Sequence, residues 1–249
     1  MTPETAMNLH VLPTRTAGAA ENMAIDFLLL QRYPDATAPR FRHYDWRTSA
    51  FTFGFSQKIA FVRSQLPPDE TFDVCRRATG GGIVDHRHDW TYALVLPRGH
   101  ALYDERATQS YRLIHEALAT ALVALGQPAE VKKACEPAGE NDETATCNAI
   151  AGVCFQRAEL YDVVNAQTGL KIAGAAQKRN KHGLLFQGSI EKSAVAAAVD
   201  WEDFGARFTS ALGRIIGGEA EETPWPDLNE DEVSGLIEQY STPEWVEYR

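Results

Sequence analysis

The 249-residue chain has no apolar run approaching the ~18 residues that a membrane span requires. Its opening, MTPETAMNLHVLPTRTAG, lacks the apolar stretch of a secretory signal, so a cytoplasmic protein is expected. Basic residues are not in excess. Against 34 Asp and Glu stand 24 Lys and Arg, a formal charge of −10, which argues against broad binding to nucleic acid or an anionic membrane. Any anion site must therefore be a local basic patch. Cysteine is scarce: Cys75, Cys135, Cys147 and Cys154 stand at wide, uneven spacings with no Cys-x-x-Cys pair. That pattern fits reduced thiols better than a disulfide framework, and it lacks paired zinc-ligand spacing. There is no internal repeat and no low-complexity tract. With 44% hydrophobic and 23% charged residues, the composition is that of an ordinary globular protein able to bury a full core.

What is present concentrates in RRATGGGIVDH, Arg76 to His86. Three consecutive glycines let backbone pass where a Cβ would clash and can turn successive N–H groups toward a ligand. Two arginines beside them suit a phosphate or carboxylate. The triplet taken alone fits a tight turn between strands equally well. It is not a phosphate-binding P-loop, since no Gly-Lys-Ser/Thr follows, and the glycine spacing is wrong for a dinucleotide fingerprint. His86-Arg-His88-Asp89 places two histidines on one strand face, but no third ligand is evident, and no metal is expected.

Apolar periodicity predicts helices over Ala20–Tyr33 and Ala107–Leu125, the second stopped by Gly126 and read as a core helix without chemistry. Further helices are expected over Ala194–Val199, Trp201–Leu212 and Asp231–Tyr240. Strands are expected around the FTFGFSQ run, Thr91–Leu96, Leu160–Asn165 and Leu170–Ala176. Glu136–Thr146 reads as an acidic loop. Strands and helices mix without strict alternation, which predicts an α/β or α+β fold with a mixed sheet. Residues 1–215 are expected to form the main domain and 216–249 a C-terminal helical tail packed on it.

A second constellation is LKIAGAAQKRNKHGLLFQGSI, Leu170 to Ile190. Lys171 precedes a run of small residues where a ligand could approach closely, and Lys178, Arg179 and Lys181 cluster after it. Together with ENMAIDFLLL, WRTSAFTFGFSQ, RRATGGGIVDH, DWTYALVLP and YDVV, this order of motifs resembles the lipoate-protein ligase A and octanoyltransferase family, within the biotin/lipoate-protein ligase superfamily. The resemblance covers roughly residues 8 to 215.

The resemblance implies a mixed-sheet catalytic domain holding an acyl chain beside the glycine loop. Lys171 matches the lysine that contacts the acyl carbonyl or acyl-adenylate. Arg76, Arg77, Gly80, Gly81, Gly82 and His86, with Gly174, Gln187 and Gly188, match the acyl and nucleotide pocket. It also implies an enzyme that attaches octanoyl or lipoyl groups to a lysine of lipoyl-domain proteins, such as the glycine cleavage H protein or 2-oxoacid dehydrogenase E2 subunits. Two chemistries use this scaffold. A transferase takes octanoate from acyl carrier protein through a cysteine thioester and needs no cofactor; Cys154-Phe155, ahead of Tyr161-Asp162-Val163-Val164, matches the nucleophile of that branch. A ligase instead requires ATP and Mg to form lipoyl-AMP, and the Lys178-Arg179-Lys181 cluster would suit its phosphates. One departure stands out: the family's Gln-His-Gly-Ser/Thr becomes Phe186-Gln187-Gly188-Ser189, with Gln187 in the histidine's place. Glutamine can position but cannot relay protons near neutral pH. That change leaves room for a third reading, a non-catalytic acyl-binding homologue.

Overall fold

The computed structural model describes residues 7–134, 157–195 and 198–248. Chain order is β1 (Leu9–Ala17), α1 (Ala19–Gln31), β2 (Arg40–Trp46), β3 (Ala50–Phe53), α2 (Ile59–Gln65), β4 (Asp73–Arg76), β5 (Ile83–Asp85) and β6 (Asp89–Pro97). It continues with α3 (Ala101–Asp104), α4 (Ala107–Ala124), β7 (Ala129–Val131), β8 (Val163–Asn165), β9 (Lys171–Asn180), β10 (Gly183–Glu191), α5 (Trp201–Ile216), β11 (Ala220–Glu222), α6 (Glu230–Ser241) and α7 (Pro243–Val246). Eight strands form one sheet in the order β11-β1-β2-β6-β10-β9-β8-β7, and β4-β3-β5 form a second. Both are mixed: β1 runs parallel to β2 and β11, whereas β2, β6, β10, β9, β8 and β7 pair antiparallel in turn. The fold is mixed α/β, as the motif order implies.

Strand β6 is buried along its whole length, because both sheet faces are covered. Alternation divides it. Trp90, Tyr92, Leu94 and Leu96 face a layer containing α4 and α5, whereas Ala93 and Val95 face α1, Cys75 and Tyr240. Helix α4 belongs to the first layer through Ile114, Leu118 and Leu122, each fully buried and spaced four residues apart. The side chain of Asp200 caps α5 by accepting from the Glu202 and Asp203 amides, and Gly217 ends it with a left-handed backbone.

Several expectations change. The first strand, β1, went unread. It is broken at a bulge between Leu12 and Arg15, around Pro13, which obscures its alternation. The short α2 was also not anticipated. Of the helix expected over Ala194–Val199, the described residues show only the end of a 3-10 turn, Lys192–Ala194, and no helix at Ala198 and Val199. Within 216–249, β11 pairs with β1 at the edge of the large sheet, and α6 packs on α1.

Candidate active site

A cleft with about 50 Å³ of free cavity volume opens between the two sheets. Small and apolar side chains line much of it: Met23 from α1, Val84 from β5, and Ala175 and Ala176 from β9. Lys171, Gly174, Gln187, Gly188 and Ser189 line it from the large sheet, and Thr52, Arg77, Gly81 and His86 from the small one. This mixture, apolar walls with a few convergent polar groups, is the lining of a site for a small, partly apolar ligand.

The cation on the large-sheet wall of the cleft is Lys171. Its Nζ lies 2.7 Å from Asp162 Oδ2, and both side chains are almost wholly buried. Asp162 is itself held from three sides. Tyr111 donates its hydroxyl to Oδ1 at 2.5 Å, and the Glu159 amide donates to Oδ2 at 2.6 Å. The Ala175 amide in turn donates to the Tyr111 oxygen at 3.0 Å, tying the brace to β9. Burial, then the neighbouring Asp162 carboxylate, pushes the Tyr111 phenol well above its ordinary range, so it stays a neutral donor. Tyr161, just before Asp162, has φ of 68°, the left-handed region that a side chain adopts at a cost. Its carbonyl accepts from His115 Nδ1 at 2.7 Å and its amide donates to the Lys132 carbonyl, which hold the turn. Burial lowers the His115 pKa to about 4, so the ring is neutral and Nδ1 carries the proton. Gly174 completes the arrangement: a Cβ there would stand 2.7 Å from both Lys171 Cε and Nζ. Only glycine leaves the lysine its place.

Sequence reading missed Asp162, Tyr111 and His115. A signal was present, since Tyr111 and His115 lie four residues apart on a helix whose inward positions are mostly apolar, and such pairs share one face. Helix α4 is therefore more than core.

The opposite wall is built around His86. Its Nδ1 lies 2.7 Å from Asp89 Oδ2 and its Nε2 lies 2.7 Å from Thr52 Oγ1. Trp46 stacks on the ring with centroids 4.0 Å apart. Asp89 Oδ2 also accepts from Thr91 at 2.8 Å and from Ser189. Burial opposes ionisation of Asp89, but the His86 charge and the bonds from His86, Ser189 and Thr91 outweigh it and hold the carboxyl below the usual carboxylate range. Arg77 Nη1 donates to Thr52 Oγ1 at 2.8 Å, and Nη2 donates to the Gly80 and Gly82 carbonyls at 2.9 and 3.0 Å. The arginine thus folds the glycine loop around itself. Gly81, at the tip, has φ of 90°, a backbone conformation that only glycine takes readily.

Gln187 joins this wall to the rest of the protein. Its Oε1 accepts from Thr79 at 2.7 Å, and its Nε2 donates to Asp26 Oδ2 at 2.7 Å. Asp26 also pairs with the buried Arg42 at 2.6 Å. Both ends of the amide are engaged, so in the histidine's place stands a connector between glycine loop and α1. Gly188 leaves room for the Tyr92 ring, which a Cβ would overlap.

Not every expected residue meets the cleft. Gly80 and Gly82 contribute carbonyls to Arg77 and do not line it. Arg76, expected on the pocket wall, is fully buried elsewhere and donates to the carbonyls of Phe55, Gln57, Trp245 and Val246. The Lys178-Arg179-Lys181 cluster is not one patch. Lys178 reaches the Ala78 carbonyl at 3.3 Å, whereas Arg179 donates to the Glu105 carbonyl at 2.7 Å, as alternation along β9 dictates. Cys75 is a core thiol, its pKa pushed up to about 12, first by burial. Cys135, Cys147, the expected nucleophile Cys154 and the acidic loop Glu136–Thr146 lie outside the described residues.

Comparison with known proteins shows the family and the fold. Residues 18–199 match the lipoyl protein ligase A/B catalytic domain. The chain is 34% identical over 192 residues to octanoyltransferase LipM of an Exiguobacterium species, a match covering 76% of this chain and 67% of that protein. Against octanoyltransferase LipM of Bacillus cereus it is 32% identical over 173 residues, covering 69% of this chain and 60% of the other, so the chain spans about two thirds of its curated relatives or less. Among solved structures, a lipoate-protein ligase A bound with ATP superposes with a TM-score of 0.70 at 18% identity, covering 97% of this chain and 98% of that one. The bi-partite lipoate protein ligase of Thermoplasma acidophilum superposes at 0.71 and 18%, covering 98% of each chain, and shares the fold. With glycine loop, lysine strand and mixed sheet in their places, the chain belongs to the lipoyl protein ligase A/B catalytic domain family.

Proposed function

We propose that this chain is a protein octanoyltransferase of the lipoylation pathway, working through a cysteine thioester. The observation that carries the reading is Lys171: an ammonium fixed by Asp162 at the wall of a largely apolar cleft, in a chain akin to named octanoyltransferases over most of its length. In the proposed first step the Cys154 thiolate attacks the thioester carbonyl of octanoyl-acyl carrier protein, the carrier's C–S bond breaks, and the carrier leaves as its thiolate. In the second, the unprotonated ε-amine of a lipoyl-domain lysine attacks the enzyme thioester. The amide forms, the nitrogen loses its proton, and Cys154 leaves as a thiol. Thioester exchange is nearly balanced in energy, and a cysteine is the suited nucleophile. Lys171 stabilises the oxyanion at each tetrahedral stage, an effect worth about 3–4 kcal/mol for one well-placed donor. The apolar wall holds the acyl tail at about 0.8 kcal/mol per buried CH₂. Acceptors are lipoyl-domain proteins, the glycine cleavage H protein or 2-oxoacid dehydrogenase E2 subunits, in the cytoplasm.

Intact-mass analysis of a purified lipoyl domain tests this. One reaction holds octanoyl-acyl carrier protein without ATP, the other lipoate with ATP and Mg. Product in the first, lost in Cys154→Ser, is the expected result. Product only in the second makes the protein a ligase, and product in neither favours the acyl-binding homologue.

A further inference from the structure

Arg76 and Arg77 are chain neighbours with opposite destinations. Arg77 gathers the glycine loop, while Arg76 reaches the C-terminal segment. Its Nε donates to the Trp245 carbonyl at 2.9 Å and its Nη2 to the Val246 carbonyl at 2.8 Å. Its Nη1 donates to the Phe55 and Gln57 carbonyls at 2.6 and 2.8 Å. The contact is reciprocal, since the Trp245 indole donates to the Arg76 carbonyl at 2.9 Å. The Trp245 ring packs on Tyr240 and Phe55, and Tyr248 also reaches Phe55, with centroids 4.8, 5.9 and 5.4 Å apart.

The turn that Arg76 holds is the bed of the glycine loop. Phe55 donates its amide to the Thr79 carbonyl at 2.9 Å and Gly54 donates to the Gly82 carbonyl at 3.2 Å. The Gln57 side chain donates to the Gly81 carbonyl at 3.4 Å. A Cβ on Gly54 would fall 2.0 Å from the Gly81 oxygen, so turn and loop are in direct contact. Gly81 lines the cleft. The family match ends at residue 199, well before the segment that Arg76 grips.

We infer that residues 243–248 form a clasp that sets the glycine loop, with Arg76 as the positioning residue between them. A planar guanidinium can bridge carbonyls on two sides at once, which a lysine point charge cannot. Lifting the clasp strips a buried cation of two of its acceptors, and the turn beneath the glycine loop must rearrange to satisfy it. The coupling stands on these contacts alone. Its consequence for acyl binding rests on the function proposed above.

The test uses the full chain with Trp245→Ala and Arg76→Lys, against Leu212→Ala, a core truncation in α5 on the other side of the large sheet. Hydrogen–deuterium exchange at residues 79–82 and octanoate binding by calorimetry are compared. Exchange at least about tenfold faster and octanoate about tenfold weaker in Trp245→Ala, with both close to wild type in Leu212→Ala, is expected. Arg76→Lys should behave likewise. If it does not fold, Trp245→Phe, which keeps a ring but loses the indole donor, should give intermediate exchange. Loop protection in Trp245→Ala equal to that of Leu212→Ala overturns the clasp. Should wild type bind no octanoate, the acyl reading fails while the exchange result still decides the coupling.

Discussion

Across the cleft, the large sheet presents a lysine paired with the Asp162 carboxylate, whereas the small sheet presents a histidine bonded at both ring nitrogens and an arginine wrapped by its own loop. On the first wall, Asp162 takes Tyr111 on one oxygen and the Glu159 amide and Lys171 on the other, which fixes a charge at the cleft surface. On the second, Asp89 binds three side chains through a single oxygen, and Thr52 links His86 to Arg77. The difference suggests a division of labour, with charge for the reaction on one side and shape for the acyl group on the other. Each wall can be tested against that reading.

The largest effect belongs to the lysine. Lys171→Ala should cut the transfer rate by about 10²–10³-fold, the scale of losing one oxyanion donor, in the intact-mass assay with wild-type octanoate binding. Asp162→Asn should lower kcat by about tenfold while leaving KM for the octanoyl donor near wild type, since it disturbs orientation rather than the apolar wall. On the other wall, Asp89→Asn should slow transfer little but cost about 2–3 kcal/mol of stability at neutral pH. The folded Asp89 carboxyl has a depressed pKa, so its contribution is present above the unfolded value of about 4 and fades as pH falls through the folded one. The stability gap between wild type and Asp89→Asn, read from thermal midpoints, should therefore close on acidification. A variant that slowed transfer as much as Lys171→Ala would break the comparison. The smallest change is Gln187→Leu. It leaves Thr79 and Asp26 without their partner and should cost about 1–2 kcal/mol in urea unfolding.

Much of this was legible in the residues. Periodicity placed α1 and α4 to within two residues, and the glycine run announced a loop whose tip needs a left-handed backbone. Lys171 followed from its place before a run of small residues, one of which, Gly174, proves to be where the lysine lies. What escaped was non-local. The strand order that brings β5 opposite β9 has no signature in either segment. Arg76 was grouped with Arg77 because they are adjacent, although neighbours on a strand point to opposite sides. Gln187 was weighed as a lost proton relay, when its two amide ends serve Thr79 and Asp26. Asp162 was noticed only as part of a motif, because its partner Tyr111, and His115, which holds the Tyr161 carbonyl beside it, come from a helix about fifty residues away.

The pairing of β1 with β11 bears on how the chain reaches this state. The Asn8 side chain accepts from the Glu219 amide, 211 positions along the chain, and Trp225 donates to the Pro13 carbonyl, 212 positions away. Contacts of such long range raise the contact order, and closing them is slow because the loop entropy is lost before the contacts form. On the ribosome, β1 keeps one edge unpaired until β11, about 210 positions further on, has emerged. The newborn protein is therefore open to edge-to-edge association and to chaperone binding until β1 and β11 meet.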